Sequence, residues 1–449
     1  MKKSILIITI VMFVISLSIS SSFSAEMVLK AGIAKTEITP DKSIDLGGYT
    51  LRENVALEGI YGPLYTRVLV FDDGISKVVF IENDVMDMKT ELYNKIRKRV
   101  SDETGIPVKS VLVGSVHNHA APAPGYYESN NEWIEKMFNK VVATVKKAVK
   151  NLQPVRIGGA TGHSRVAINR RERLTAGKSV MTFDENFVSQ SYGQEKTNNP
   201  VMIQEIEGVV RLGYNPEGII DDEVGIIRID DLSGKPVAVF INYGCHGTSL
   251  GGRNRHISPE WMGHMLEYFE AKHPGVVGIF AIGSAGDINP RFVGGLKGYK
   301  DNLEKTKELG YEIGNEVVTV FNSIQTTEPV DPKIRLVSKD ILLPRRYMEL
   351  SEDFRKTTIA VPTTALRIDD FTWVTFPGEL FNEIGTRIKK SMRSKSAFMV
   401  THHNGAFGYL PTQKAFSEGG YEPSRSHFAP VSEQVYVKEV KDLLMNLLW

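Results

Sequence analysis

Five short apolar runs punctuate the chain: Val111–Val116, Val237–Ile241, Val276–Ile282, Trp373–Phe376 and Ala397–Val400. Each is continuously hydrophobic rather than alternating, the pattern of a strand buried on both faces. Between them apolar residues recur at helical spacing. Ser258-Pro259-Glu260 reads as an N-cap with proline at the first helical position. It opens a helix through Trp261, Met265, Tyr268 and Phe269 that stops near Pro274-Gly275. A second helix is expected to start at Glu379, with Leu380, Phe381, Ile384, Ile388 and Met392 on one stripe. Strands alternating with helices predict an α/β fold, one large domain over residues 27–449 with buried β-sheet layers flanked by helices. Met181–Glu223 breaks the pattern. It is rich in Asn, Gln, Glu and Gly, and reads as a long surface excursion, either a lid over a site or a solvated insertion.

The N-terminus follows a different rule. Lys2 and Lys3 precede an apolar stretch from Ile5 to Ile19 and then Ser20-Ser21-Ser22-Phe23-Ser24-Ala25. This charged, apolar, small-residue order is that of a secretory signal, with cleavage expected after Ser24 or Ala25 and the product exported to the periplasm or beyond. An uncleaved membrane anchor is the alternative, although the apolar run is near the short limit for spanning. Cys245 is the only cysteine, so no intramolecular disulfide can form and a large core must supply the stability. The 449 residues carry a formal net charge of +1, with 42% hydrophobic and 24% charged residues. That balance suits a globular protein and offers no basic footprint for nucleic acid.

The chemistry gathers where the apolar runs end. His117-Asn118-His119 follows the first, Asn242 to Gly247 with His246 the second, and Gly283 to Pro290 with Asp287 and Asn289 the third. Pro377-Gly378-Glu379 follows the fourth and Thr401-His402-His403-Asn404 the fifth. Open α/β sheets bind ligands at the carboxyl ends of their strands, so these segments are expected to share one site. On an extended chain His117 and His119, two apart, would point to the same side. Each piece also has a plain structural reading. His246 could serve a turn, Glu379 could favour a helix start through the macrodipole, and Asp287 could close an Asx-turn. His264 falls on an apolar stripe and reads as a core residue. Two imidazoles and a carboxylate are a common catalytic zinc set that leaves a position for water.

Eight segments, in order, resemble the neutral (non-lysosomal) ceramidase family. They are Ala31–Pro40, Tyr61–Arg67, Ser115–Pro122, Ile168-Asn169-Arg170, Asn242–Leu250, Gly286–Pro290, Pro377-Gly378-Glu379, and Asn404–Thr412 followed by Gly420-Tyr421-Glu422. The resemblance implies one Zn²⁺ bound by His117, His246, Glu379 and Tyr409. It implies that His119 serves acid/base chemistry and that Arg170 binds substrate or the developing oxyanion. It further implies hydrolysis of a small-molecule or lipid amide by zinc-bound water, with a membrane surface as one place to meet such a substrate. The sequence departs from the family pattern at Asn289, where the family has a catalytic serine, and at Phe407, where it has a tyrosine. The family's C-terminal β-sandwich domain is not expected here. An ester or other acyl hydrolase using the same metal is a second reading, and a non-catalytic periplasmic binding protein a third.

Overall fold

The computed structural model describes residues 27–49, 52, 55, 57–174, 209–294, 299–346 and 357–447. The expected signal segment therefore lies outside the described residues, as do residues 181–208 of the expected excursion. Among the described residues no helix is long and apolar enough to cross a membrane.

Four layers stack in the order helix, sheet, sheet, helix. The larger sheet has eight strands, running Val277–Ile282, Pro236–Tyr243, Glu223–Asp231, Gln153–His163, Lys30–Glu37, Tyr65–Asp72, Lys77–Asn83 and Val111–Ser115. The second runs Ile334–Pro344, Thr358–Ile368, Phe371–Phe376 and Ser396–Thr401. Phe71, Phe80, Phe240, Trp373 and Phe398 fill the space between the sheets, and all are buried. The Trp373 indole stacks on Phe398 at 5.4 Å and meets Phe240 edge-on at 6.0 Å. Such aromatic contacts bury large areas and fix the two sheets face to face. Thr90–Thr104 and Asn131–Lys150 cover one part of the outer face of the large sheet, and Glu260–Lys272 with Tyr299–Ser323 cover the rest. Asn382–Lys389 and Ser432–Met445 cover the second sheet.

All five expected strands form, and their pairing explains where the site lies. Both sheets are largely antiparallel, but three pairs are parallel. Val277–Ile282 lies parallel to Pro236–Tyr243 at one edge of the large sheet, and Lys77–Asn83 to Val111–Ser115 at the other. Phe371–Phe376 lies parallel to Ser396–Thr401 at the edge of the second sheet. The two edges of the large sheet approach each other where the second sheet caps them. Asn118 bridges Gly247, Gly114 bridges His403, and the Asn242 amide donates to Met399 O at 3.0 Å. Three parallel pairs thus release their following loops into one space.

Three local expectations change. Pro259 is the N-cap rather than the first helical residue, and Glu260 takes φ 56°. Its buried carboxylate there accepts from Leu250 N at 2.8 Å and from Ser249 N at 3.2 Å, which offsets the left-handed backbone. The helix expected from Glu379 begins at Asn382, because Glu379–Leu380 pair in parallel with Tyr409–Leu410. Part of the expected excursion is regular structure: Val209–Asn215 pairs antiparallel with Ala167–Leu174, and Glu223 opens the next strand.

Candidate metal centre and active site

His117, His119, His246, Glu379, Tyr409, Arg170 and Asn289 meet in one place. His117 is not on extended backbone as expected; its φ is 57°, a strained value for a non-glycine residue. The turn still brings His117 Nε2 to 3.1 Å from His119 Nε2, with the rings nearly perpendicular. Glu379 Oε2 lies 3.1 Å from His246 Nε2 and 3.7 Å from His117 Nε2. Glu379 and Tyr409 are register partners in their short parallel ladder, which puts both side chains on one side. One nitrogen from each of His117, His119 and His246 falls within 4.8 Å of the others.

The tautomers suit a cation. His117 Nδ1 lies 3.1 Å from Met86 O, and His246 Nδ1 lies 2.8 Å from Ile288 O. A carbonyl can only accept, so each Nδ1 carries the proton and each Nε2 keeps its lone pair. Metal-binding histidines are oriented by this device. Burial pushes all three imidazoles well below the usual histidine pKa, and His402 adds to the effect at His117, His117 at His119 and Arg170 at His246, so they are neutral at pH 7. Burial, followed by the charge of Glu379, raises the Tyr409 phenol well above its ordinary value. A metal beside that phenol would reverse the direction.

Arg170 is the hub. Nε donates to Glu422 at 2.8 Å, Nη2 to Gly286 O at 2.8 Å and to Tyr409 Oη at 3.1 Å, and Nη1 to Asn289 Oδ1 at 3.3 Å. The remaining N–H on Nη1 faces His246 Nε2 at 3.1 Å. It is the one donor of the five without an oxygen acceptor, and it points at the lone pair a metal would use. Burial lowers the guanidinium pKa, but Tyr409, Glu422 and Glu379 outweigh it, so Arg170 stays charged. Asp287, read as an Asx-turn residue, accepts from Asn169 Nδ2 at 2.9 Å and from Asn382 N at 2.8 Å, which locks the loop carrying Asn289. His264 is buried with Nδ1 2.8 Å from Glu267 and is not part of the site.

Three residues here had been given no role. Glu422 holds Arg170 and, at 2.8 Å, Arg171. His402 stacks on His117 with ring centroids 4.0 Å apart, and Asp87 lies 3.4 Å from His402 Nδ1. His402 was visible as a strand-end histidine. Asp87 follows the Lys77–Asn83 strand, whose parallel partnership with Val111–Ser115 is a tertiary fact.

The layers and the site define a class: an α/β protein whose histidines, carboxylate and tyrosine converge at the ends of parallel strands. The chain belongs to the neutral/alkaline non-lysosomal ceramidase family; residues 29–307 match its N-terminal region. It is 23% identical over 305 residues to neutral ceramidase A of Dictyostelium discoideum, covering 62% of this chain and 38% of that protein. It is 24% identical over 287 residues to the neutral ceramidase of Drosophila melanogaster, covering 59% and 36%. The matched part thus spans little more than a third of these relatives. The fold is similar to the crystal structure of neutral ceramidase from Pseudomonas aeruginosa, with a TM-score of 0.70 at 17% identity, over 94% of this chain and 75% of that one.

Proposed function

We propose that this chain is an exported, zinc-dependent hydrolase of N-acyl amides, ceramide-like in class. The observation that carries the proposal is the convergence of His117 Nε2, His246 Nε2 and Glu379 Oε2, with both Nδ1 protons fixed by backbone carbonyls. Two neutral nitrogens and a carboxylate oxygen match the donor set of catalytic zinc, and Tyr409 completes it. When bound, the ion supplies a Lewis acid for the amide carbonyl and a water that ionises near neutral pH.

The chain's own residues do the rest. His119 stands beside His117 with its ring set by the Tyr49 edge at 5.1 Å, and its backbone carbonyl is held by Arg52 at 2.5 Å. It is the group in place to carry a proton to the leaving amine. The Arg170 N–H facing His246, freed when that nitrogen is otherwise engaged, is available to an oxyanion together with the Asn289 amide nitrogen. Residues 27–449 form the catalytic unit, and the segment before them directs export.

Metal content and turnover test the reading. Purified protein should contain zinc and cleave an N-acyl amide in a chelator-sensitive manner. His117→Ala and His246→Ala should lose most of the metal, whereas Tyr409→Phe should weaken binding less, since a phenol ligates only once deprotonated. Full zinc occupancy in both histidine variants would refute the site, and turnover of esters without amides would favour the acyl-hydrolase alternative.

A further inference from the structure

Asp87 and His402 stand beside the centre but belong to none of the roles above. Both are buried, at 8% and 1% exposure. Asp87 Oδ1 accepts from Tyr93 Oη at 2.7 Å and from Met88 N at 2.8 Å, so the carboxylate is fixed in place. Its other oxygen, Oδ2, lies 3.4 Å from His402 Nδ1. That is long for a charge-assisted hydrogen bond, which is usually under about 3 Å. It is the separation of two donors on one tetrahedral ion, about 3.4 Å when each bond is about 2.1 Å.

Charge gives a second argument. A buried carboxylate must be paired or coordinate a metal. Among the described residues no Lys or Arg forms an ion pair with Asp87. His402 Nε2 is buried without a hydrogen-bond partner. His402 also takes φ 57°, the same strained region as His117, on which it stacks with the planes 24° apart.

We infer that Asp87 and His402 form a second divalent-cation position, adjacent to the first, with the imidazole of His117 between the two. One donor atom each from Asp87, His117 and His402 lies within 4.8 Å of the others, and His117 is common to this group and to His117–His119–His246. Two ions a few ångströms apart can clamp both the attacking and the departing atoms of a hydrolysis. The inference rests on the centre proposed above and adds an ion to it.

Stoichiometry tests it. Full-length protein stripped with a chelator is titrated with Zn²⁺ and, separately, with Co²⁺, with metal counted after gel filtration and the cobalt absorption spectrum recorded. The wild type should take two ions per chain. Asp87→Asn and His402→Phe should each take one, the phenyl ring keeping the stack on His117 while removing the donor, and circular dichroism should show both folded. His117→Ala should lose the first ion and keep the second, because His117 Nδ1 is committed to Met86 O and is no donor to that second ion. A wild type that saturates at one ion overturns the inference and leaves the proposed function standing, whereas a wild type that takes none overturns the proposed function itself. A second ion retained in folded Asp87→Asn and His402→Phe places that ion elsewhere and also overturns the inference.

Discussion

His117 and His119 aim their Nε2 atoms at each other across 3.1 Å, although only one residue separates them in the chain. The contact needs one Nε2 to bear a proton and the other a lone pair. Because His117 Nδ1 is committed to Met86 O, the lone pair belongs to His117 and the proton to His119. On the proposed mechanism this divides two histidines of one short motif into a metal donor and a proton carrier.

That division makes His119→Ala informative. The variant should keep its metal, because His119 is not among the proposed zinc donors, and kcat should fall by about 10²–10⁴ through loss of proton transfer. Metal analysis and kcat on the same preparation check it. Near-normal kcat would remove His119 from the mechanism, and loss of zinc would make it a ligand.

Glu422 should matter to stability as well as to catalysis. It is 1% exposed and holds Arg170 and Arg171 at 2.8 Å each. Removing one partner of a buried ion pair leaves charge uncompensated and costs about 3–5 kcal/mol. Glu422→Ala should lower the urea midpoint correspondingly, and it should reduce kcat/KM because Arg170 loses its anchor. An unchanged midpoint would contradict this account.

Much of this site was legible before any coordinates. Buried strands announce themselves as continuous apolar runs, and polar residues just beyond them are candidates for a shared edge. His117, His246, Glu379 and Asn289 were found in that way, whereas Tyr409 and Arg170 needed the family resemblance. What could not be read was pairing across long sequence distances. Nothing local reveals that Glu379 and Tyr409 share a ladder, so a helix start was the natural reading of Glu379. Nothing local reveals that Asp87 faces His402, since 315 residues separate them. The left-handed backbone of His117 and Glu260 is likewise imposed by tertiary contacts rather than by residue type.

Gly48 predicts a positional effect on His119. A Cβ there would sit 2.2 Å from His119 Nδ1, and the backbone φ is +88°. Gly48→Ala should therefore cost about 1–2 kcal/mol from the backbone alone. It should also displace the imidazole, so that kcat falls by more than the stability loss explains at a temperature where the variant is fully folded. Thermal melts and kcat measured together separate the two effects. Unaltered kcat in the folded variant would show that His119 does not need this seat.

Asn289 decides between two chemistries. A covalent acyl-enzyme needs an activated nucleophile, and a carboxamide is not one. Its oxygen is already engaged, accepting from Arg170 Nη1 at 3.3 Å and from Thr248 Oγ1 at 3.4 Å. That leaves the amide nitrogen as the end able to donate to a substrate oxygen. Asn289→Ala should thus cost one donor, about 10²-fold in kcat at most, with metal content unchanged. Asn289→Asp is the sharper variant. It keeps the size and the contact with Arg170 but replaces the donor with a second anionic oxygen, so it should lose at least as much activity as alanine does. Asn289→Ser should gain no burst of product, because hydrolysis by water needs no serine at this place. Rapid quenching and mass spectrometry of the wild type should find no acylated protein, and a trapped acyl-enzyme would show that attack comes from a side chain rather than from water.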